Sequence, residues 1–394
     1  MLVVCVALAG RVAWVGYGPR DEAKLVRQQV QFLNGSLAAG GAARMQGLFP
    51  EGSYFLRALT ASAAARTGTG LDDVRRLRDS LDAPDSVAVF GSGMVPEHGI
   101  FQAGWALMVA NDLAAASRDP ADLDDVRRRA TVIEQALRSS RTGFLAGYPQ
   151  QYWPCDTVVA AASLARAALL VDQPGWLDTV RRWRAVTAVY VDPRTGLLPH
   201  RVGADGRALE GPRGSSQSII QAFWPTIAEA LDGQPDRATW ARFREAFVVR
   251  EAGLVGVREF PRGVNGAADV DSGPLAFGVS GSASAVTLAA ARAAGDQHLA
   301  ADLSREADLL GLPLAGGGER RYGFGVLPVG DAFLAWARSA PPGPPIGPSA
   351  AETVLGRPLW PVFVGVWLVP VALLVLVVGR RRPGFRPSVG ADTP

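Results

Sequence analysis

Small-residue helical stretches and charged ones alternate six times along this chain, and most of the small-residue stretches are introduced by a proline. The small stretches run over residues 51–66, 96–117, 154–171, 215–232, 274–294 and 328–339. The charged ones run over residues 21–33, 71–82, 121–138, 175–190, 236–250 and 297–310. A helix that is rich in Ala, Gly and Ser on every side, such as Val158–Leu170 or Gly278–Ala294, is stable only when packed closely all round. Asp122–Arg138 instead sets Val126, Ile133 and Leu137 on one face and Asp and Arg on the other, the pattern of an outer helix. Twelve helices alternating in this way predict two concentric rings, small-residue helices inside and charged ones outside.

The inner starts near residues 51, 96, 154, 215, 274 and 328 are spaced by 45, 58, 61, 59 and 54 residues, which fits six repeated hairpins. Connections into the inner helices are long and rich in Gly and aromatics, whereas the returns are short. Long loops on one face of a rigid scaffold are where sites usually sit. The longest, Tyr190–Gly214, carries the turn signals Asp192-Pro193 and Asp205-Gly206 between short apolar runs, and predicts a β-hairpin flap over that face.

Proline suits the first turn of a helix because its missing N–H would have no partner there. Pro50, Pro96, Pro154, Pro274 and Pro328 each mark an expected inner-helix start. Polar residues gather beside them: Glu51 and Tyr54, Glu97 and His98, Cys155 and Asp156, Asp269 and Asp271, and Asp331. In a closed ring these helix starts converge on one mouth, and carboxylates around an aromatic-rimmed pocket are what general acid/base chemistry requires. Acidic residues also cap first-turn N–H groups and complement the helix dipole, and that plainer role fits Glu51, Glu97 and Asp331. Asp156 has more company. Residues 147–157 add Tyr148, Tyr152, Trp153, two amides and a thiol, more than a cap needs.

Asp271 has Asp269 as a neighbour, and two adjacent carboxylates drive their proton affinities apart, leaving one acid and one base. A loop whose aspartates bind backbone amides is the alternative. His98 is a candidate proton shuttle, whereas His200 and His298 read as surface residues. Arg213 reads as a substrate anchor for a carboxylate or phosphate, or as a loop-bracing ion pair. Three scattered histidines and one domain cysteine give no zinc spacing, and no metal or cofactor is implied. Gly316-Gly317-Gly318 follows no expected strand, so a phosphate loop is not expected there.

With these features the chain resembles the six-hairpin (α/α)6-toroid superfamily over residues 21–340. The resemblance implies an all-α toroid of six helical hairpins and, from the superfamily's glycoside hydrolases and polysaccharide lyases, acids and sugar-stacking aromatics at the inner-helix mouths. Asp156, Asp271, Trp153 and Tyr54 occupy comparable places. The chain is also similar to linalool dehydratase/isomerase, whose cofactor-free acid/base chemistry uses Cys, His, Tyr and acidic residues. His98, Cys155, Asp156 and Tyr54 stand in those roles, with one cysteine in this domain where that family uses two.

The two ends carry a different signal. Leu359–Val378 is an uncharged twenty-residue run, the length of a transmembrane helix. Arg380, Arg381, Arg382 and Arg386 follow it, so the positive-inside rule makes residues 379–394 a cytoplasmic tail and puts the large domain outside the cell membrane. Residues 1–17 read as a signal segment, as part of a first transmembrane helix, or as an ordinary apolar start. Residues 341–357 begin as a Pro-rich linker, expected to hold the domain off the bilayer. The tail's four Arg and one Asp account for the whole net charge of +3, so the rest sums to zero and nucleic-acid binding has no support.

The expectation is therefore a membrane-anchored extracytoplasmic hydrolase or lyase. It acts on a carbohydrate with Asp156 and Asp271 as acid and base, assisted by Glu97 and His98. Tyr54, Trp153, Tyr152, Cys155, Asp269, Arg213 and Glu51 are its substrate-side residues. A dehydratase-like lyase on a small alcohol and a non-catalytic envelope protein binding a glycan or partner are the alternatives.

Overall fold

The structure, a computed structural model, describes residues 2–251, 253–347, 361–369 and 372. It is mostly helical with little sheet. Residues 1–20 and 358–394 form one unit and residues 21–357 another.

In the first unit, α1 (Leu2–Tyr17) buries Cys5, Ala9, Val12 and Val15 and exposes Val3, Val4, Val6, Trp14 and Tyr17. Of the expected span Leu359–Val378, residues 361–369 and 372 are helical, and the others lie outside the described residues, as does the basic tail. Among the described residues no helix is long and apolar enough to cross a membrane.

The second unit runs α2 (Glu22–Ala38), α3 (Gly41–Gln46), α4 (Gly52–Arg66), α5 (Leu71–Ser80), α6 (Pro84–Val87), α7 (Gly99–Ser117), α8 (Pro120–Ser139) and α9 (Pro154–Leu170). It continues through α10 (Gly175–Thr187), α11 (Gly214–Asp232), α12 (Arg237–Phe247), α13 (Gly281–Ala293), α14 (Gln297–Leu310) and α15 (Pro328–Ser339). The small-residue helices pack in chain order: α4 on α7, α7 on α9, α9 on α11, α11 on α13, α13 on α15, and α15 back on α4. Each amphipathic helix lies against this set: α2 on α15 and α4, α5 on α4 and α7, α8 on α7 and α9, α10 on α9 and α11, α12 on α11, and α14 on α13.

Residue size makes these contacts possible. At Gly104 of α7 a Cβ would lie 3.0–3.1 Å from Ala160 on α9, tight enough that α9 would have to give by a few tenths of an ångström. The amphipathic α8 starts at Pro120 behind Asp119, whose carboxylate accepts from the Ala121 N–H at 2.9 Å. It buries Val126, Ile133 and Leu137, each worth about 1.5–3 kcal/mol on leaving water. Aromatic rings from four small-residue helices fill the middle of the set. Phe55 meets Trp105 at 5.2 Å and Phe333 at 5.0 Å, and Trp105 meets Phe223 at 5.4 Å and Trp336 at 5.9 Å.

Among the described residues there are three antiparallel sheets. β1 (Arg201–Val202) and β2 (Ala208–Glu210) form the expected flap hairpin, turning through Asp205-Gly206. β3 (Val248–Glu251), β4 (Leu254–Arg258), β5 (Leu275–Ala276) and β6 (Val279–Ser280) make a four-stranded sheet in the order β3-β4-β6-β5. This sheet corrects the fifth expected helix start: Pro274 leads into β5, and α13 begins at Gly281. Alternating Val255 and Val257 are buried in the sheet, and the β5–β6 hairpin consumes the residues expected to be helical. β7 (Leu314–Gly316) and β8 (Glu319–Arg321) follow, with Gly317 and Gly318 at φ +60° and +86° making the turn. The triple glycine thus serves a hairpin.

Residues 341–347 also depart from a free spacer. Gly343 N–H donates to Arg292 O at 2.8 Å and Ile346 N–H to Gly295 O at 3.0 Å, so this stretch lies along the end of α13. Residues 348–357 of the linker lie outside the described residues.

Candidate active site

The helix starts differ sharply in how they are capped. Asp21, Asp119, Asp236 and Asp296 cap α2, α8, α12 and α14 with their side chains. Glu51, His98, Trp153, Arg213 and Leu327, at the same position of α4, α7, α9, α11 and α15, make no side-chain cap bond. Ser280 caps α13. The plainer explanation of Glu51 as a cap is therefore set aside by geometry: its carboxylate accepts the phenolic hydrogen of Tyr148.

The loop before α9 builds this contact. Ile100 N–H, in the first turn of α7, donates to Ala146 O at 2.9 Å, and Gly99 at φ +83° lets the two backbones meet. The loop then turns tightly, with Gln151 N–H on Tyr148 O at 2.9 Å and Gly147 N–H on Gln151 O at 3.0 Å. That turn projects Tyr148 towards α4, its ring 5.5 Å from Phe90 and edge-on to Trp153 at 5.8 Å. Behind it, the Asp156 carboxyl occupies the space that a side chain at Gly147 would need. The Cys155 thiol donates to Asp156 Oδ1 at 3.6 Å.

Burial of Asp156, 7 % exposed, is the main force on its proton affinity. With the charges of Glu51 and Asp271 it raises the pKa to about 8, against the thiol hydrogen bond. Asp271 is itself exposed on its loop; partial desolvation, then the charges of Asp269, Glu51 and Glu259, push it up to about 6, against Arg213. Near neutral pH Asp156 thus holds its proton and Asp271 has mostly lost its own. Burial, then the same carboxylates, also raises the Cys155 thiol and the Tyr148 phenol.

Arg213 organises the far side. Its Nε lies 2.7 Å from Glu259 Oε1, its Nη1 lies 2.6 Å from Asp269 Oδ2, and its guanidinium carbon sits 5.0 Å from the centre of the Phe260 ring. Arg213 is consequently an internal brace and not a free substrate anchor, and Asp269 is its ion-pair partner. The second Asp269 oxygen accepts from Ser272 N–H at 2.9 Å, so Asp269 is held as a turn-forming carboxylate and not as a second proton-transfer group.

Several expected residues lie elsewhere. Tyr54 is a core residue: it is 1 % exposed, donates to Gln102 O at 2.8 Å and packs on Phe90 and Phe101. Glu97 is exposed and accepts from Gly93 N–H at 3.0 Å, while His98 Nδ1 lies 2.7 Å from Gly91 O. Both brace the loop before α7, and among the described residues neither is hydrogen-bonded to Asp156 or Asp271. Tyr152 is half-buried, and its carbonyl accepts from Val202 N–H at 3.0 Å, joining the flap to the loop before α9.

Two participants were missed. Glu259 is fully buried and accepts from Arg213 Nε, from Ser215 Oγ at 2.8 Å and from Ser215 N–H at 3.0 Å, capping α11 from another segment. The signal for it was parity: Val255, Val257 and Glu259 alternate inward along β4 and its continuation. His200, expected at the surface, is 5 % exposed, and its Nδ1 has no hydrogen-bond partner among the described residues. Burial, then the nearby Arg213, lowers its pKa to about 4, so the ring is neutral.

Concavities of about 220 and 330 Å³ lie away from these carboxylates, one beside α10–α12 and one at the opposite end of the small-residue helices. Among the described residues no group of His, Cys, Asp and Glu side chains is arranged to hold a metal ion. No protein-family model matches the chain, and no curated protein matches it in sequence.

Proposed function

We propose that residues 21–340 are an (α/α)6 toroid whose mouth carries an acid/base active site, and that the enzyme is a hydrolase or lyase acting on a carbohydrate. The cyclic order of helix contacts, α4 through α15 and back to α4, supports the toroid. The observation that carries the activity is the buried Asp156 carboxyl set between Gly147 and the Cys155 thiol, beside the Tyr148–Glu51 contact; its pKa near 8, against about 6 for Asp271, agrees with one acid and one base.

A neutral Asp156 can give its proton to a leaving oxygen while an ionised Asp271 withdraws one from water or from an acidic carbon. Tyr148 and Trp153, both half-buried, offer ring faces and edges of the kind that stack on sugars. The test is turnover of a panel of envelope polysaccharides by the purified protein and by Asp156→Asn. Loss of turnover in a folded variant is expected; retained turnover would end the assignment.

A dehydratase-like lyase is the second reading, favoured by the contact between Cys155 and Asp156. It requires the thiol for turnover, whereas a sugar enzyme tolerates Cys155→Ser. Anchoring in a bilayer, with the large domain outside, rests on the apolar run 359–378, the arginines after it and the exposed apolar face of α1. Protease protection of the tail in intact cells tests it.

A further inference from the structure

Among the described residues of the second unit, every exposed large apolar side chain except Val132, Leu169 and Leu310 lies on a connection that leads into a small-residue helix. The returns to the amphipathic helices carry none among the described residues. The apolar side chains reach the carboxylates themselves. Val270, 71 % exposed, stands between Asp269 and Asp271. Ser282 Oγ donates to Asp271 O at 2.7 Å and Ser280 Oγ to Ser272 O at 2.7 Å, tying this loop to the end of the β5–β6 hairpin. Phe277 sits at the tip of that hairpin, 86 % exposed.

The backbone is strained to hold it there. Phe277 and Gly278, at φ +53° and +79°, make a two-residue turn in which both positions are left-handed. Asn, Asp or Gly fits such a turn, and a bulky side chain does not. Phe324, 64 % exposed, repeats the arrangement before α15, at φ +62° between the left-handed Gly323 and Gly325. Arg292 Nε donates to Ala340 O at 2.8 Å, joining the C-terminal ends of the packed helices α13 and α15, so both helices start at the other end. Folding gains nothing from an exposed phenylalanine in a left-handed turn, whereas binding an apolar group there does.

We infer that the substrate of the acid/base site is a glycolipid, its aliphatic chain lying over Val270, Phe277 and Phe324 while its sugar reaches Asp156 and Asp271. This rests on the carbohydrate reading proposed above and narrows it. Sugars stack on flat aromatic faces; the exposed Val270, Val326 and Leu327 offer none, and suit methylene groups instead. An anionic bilayer surface is the weaker occupant, because recognising one takes a cluster of available cations. Arg213, Arg258 and Arg320 are engaged by Glu259, Asn265 and Asp308, and Arg262 by the carbonyls of Glu245 and Val248, which leaves Arg321 alone to meet headgroups.

Photolabelling of the full-length protein in its own membranes tests the proposal, with octyl β-glucoside carrying a diazirine at the end of its chain as the probe. Mass spectrometry of the labelled peptides should find the label on residues 270–277 and 324–327. Competition by hexyl, octyl and decyl β-glucoside should strengthen about 5–10-fold with each two carbons added, and methyl β-glucoside should not compete. Phe277→Asn and Phe324→Asn suit their left-handed positions and keep the fold; together they should cut this labelling at least about 10-fold. Asp156→Asn should label like the wild type, so a protein that is labelled but turns over no glycan would sink the acid/base reading and leave this one standing. Label confined to residues 2–17 and 359–378, label undiminished in the double variant, or equal competition by methyl and octyl glucoside would each overturn it. Equal labelling by the same chain without its sugar would point to a lipid surface and overturn the glycolipid assignment.

Discussion

The carboxyl of Asp156 rests directly on the backbone of Gly147, in the place where any side chain at that position would stand. The acid is thus positioned by an absence of atoms on the loop that also carries Tyr148. Gly147→Ala should displace the carboxyl while leaving the helices intact. We expect turnover to drop by about 10–100-fold, since small misplacements of a reacting group have that effect. A wild-type rate in a folded Gly147→Ala variant would dissociate Asp156 from the chemistry.

Tyr148 and Glu51 join the loop before α9 to the start of α4. Tyr148→Phe removes one hydrogen bond and leaves the ring packing, so a stability loss of about 1 kcal/mol is expected by chemical denaturation. If the phenol also orients Glu51 towards substrate, the rate falls further than occupancy of the fold explains.

Glu259 satisfies Arg213 and the first turn of α11 together. Glu259→Ala leaves a buried guanidinium with Asp269 and the more distant Glu210, and uncaps a helix. The expected cost is about 3–5 kcal/mol in urea unfolding, as for other broken buried ion pairs. A loss below about 1 kcal/mol would show that Arg213 is more solvated than its burial implies.

The helices were legible because their composition reports their surroundings. Residues 154–171 were expected to be helical and Pro154–Leu170 are; 297–310 were expected and Gln297–Leu310 are. Close packing demands small side chains all round, and a solvent-facing helix demands a period, so each environment leaves a mark on the sequence. Strands of two residues leave none, which is why β5 and β6 were read as helix. Within the site, Asp156 and Asp271 stood out by their neighbours, but Tyr54 was misplaced because a few residues along a helix carry a side chain from the helix start into the core. Arg213, Asp269 and Glu259 belong to one hub assembled from distant segments, and pairing at long range is not encoded in spacing. His200 was hidden for the same reason: the flap that carries it is polar, and its burial comes from elements across the chain.

The pH dependence of activity follows from the two carboxyls. The rate should rise as Asp271 ionises near pH 6 and fall as Asp156 loses its proton near pH 8, giving a bell centred close to neutrality. Because the groups interact, the two limbs belong to the pair, and Asp271→Asn should remove turnover and not merely the acid limb. A flat profile between pH 5 and 9 would contradict proton transfer by these residues.

Stability should carry the opposite signature to that of salt-bridged acids. Asp156 in the unfolded chain titrates near the ordinary 3.8, whereas in the fold it holds its proton to about 8. Between these values the folded state binds the extra proton, so stability declines as pH rises through the window and the full penalty is present above it. Asp331, at about 7, and Glu306, at about 8, are buried acids that act in the same direction. Asp156→Asn removes one titration without changing shape. Its melting temperature should match the wild type near pH 4 and exceed it by roughly 5 °C or more at pH 8. A gap between the two proteins that stays constant across that range would mean that Asp156 is ionised in the folded state, and would remove the general acid from the mechanism.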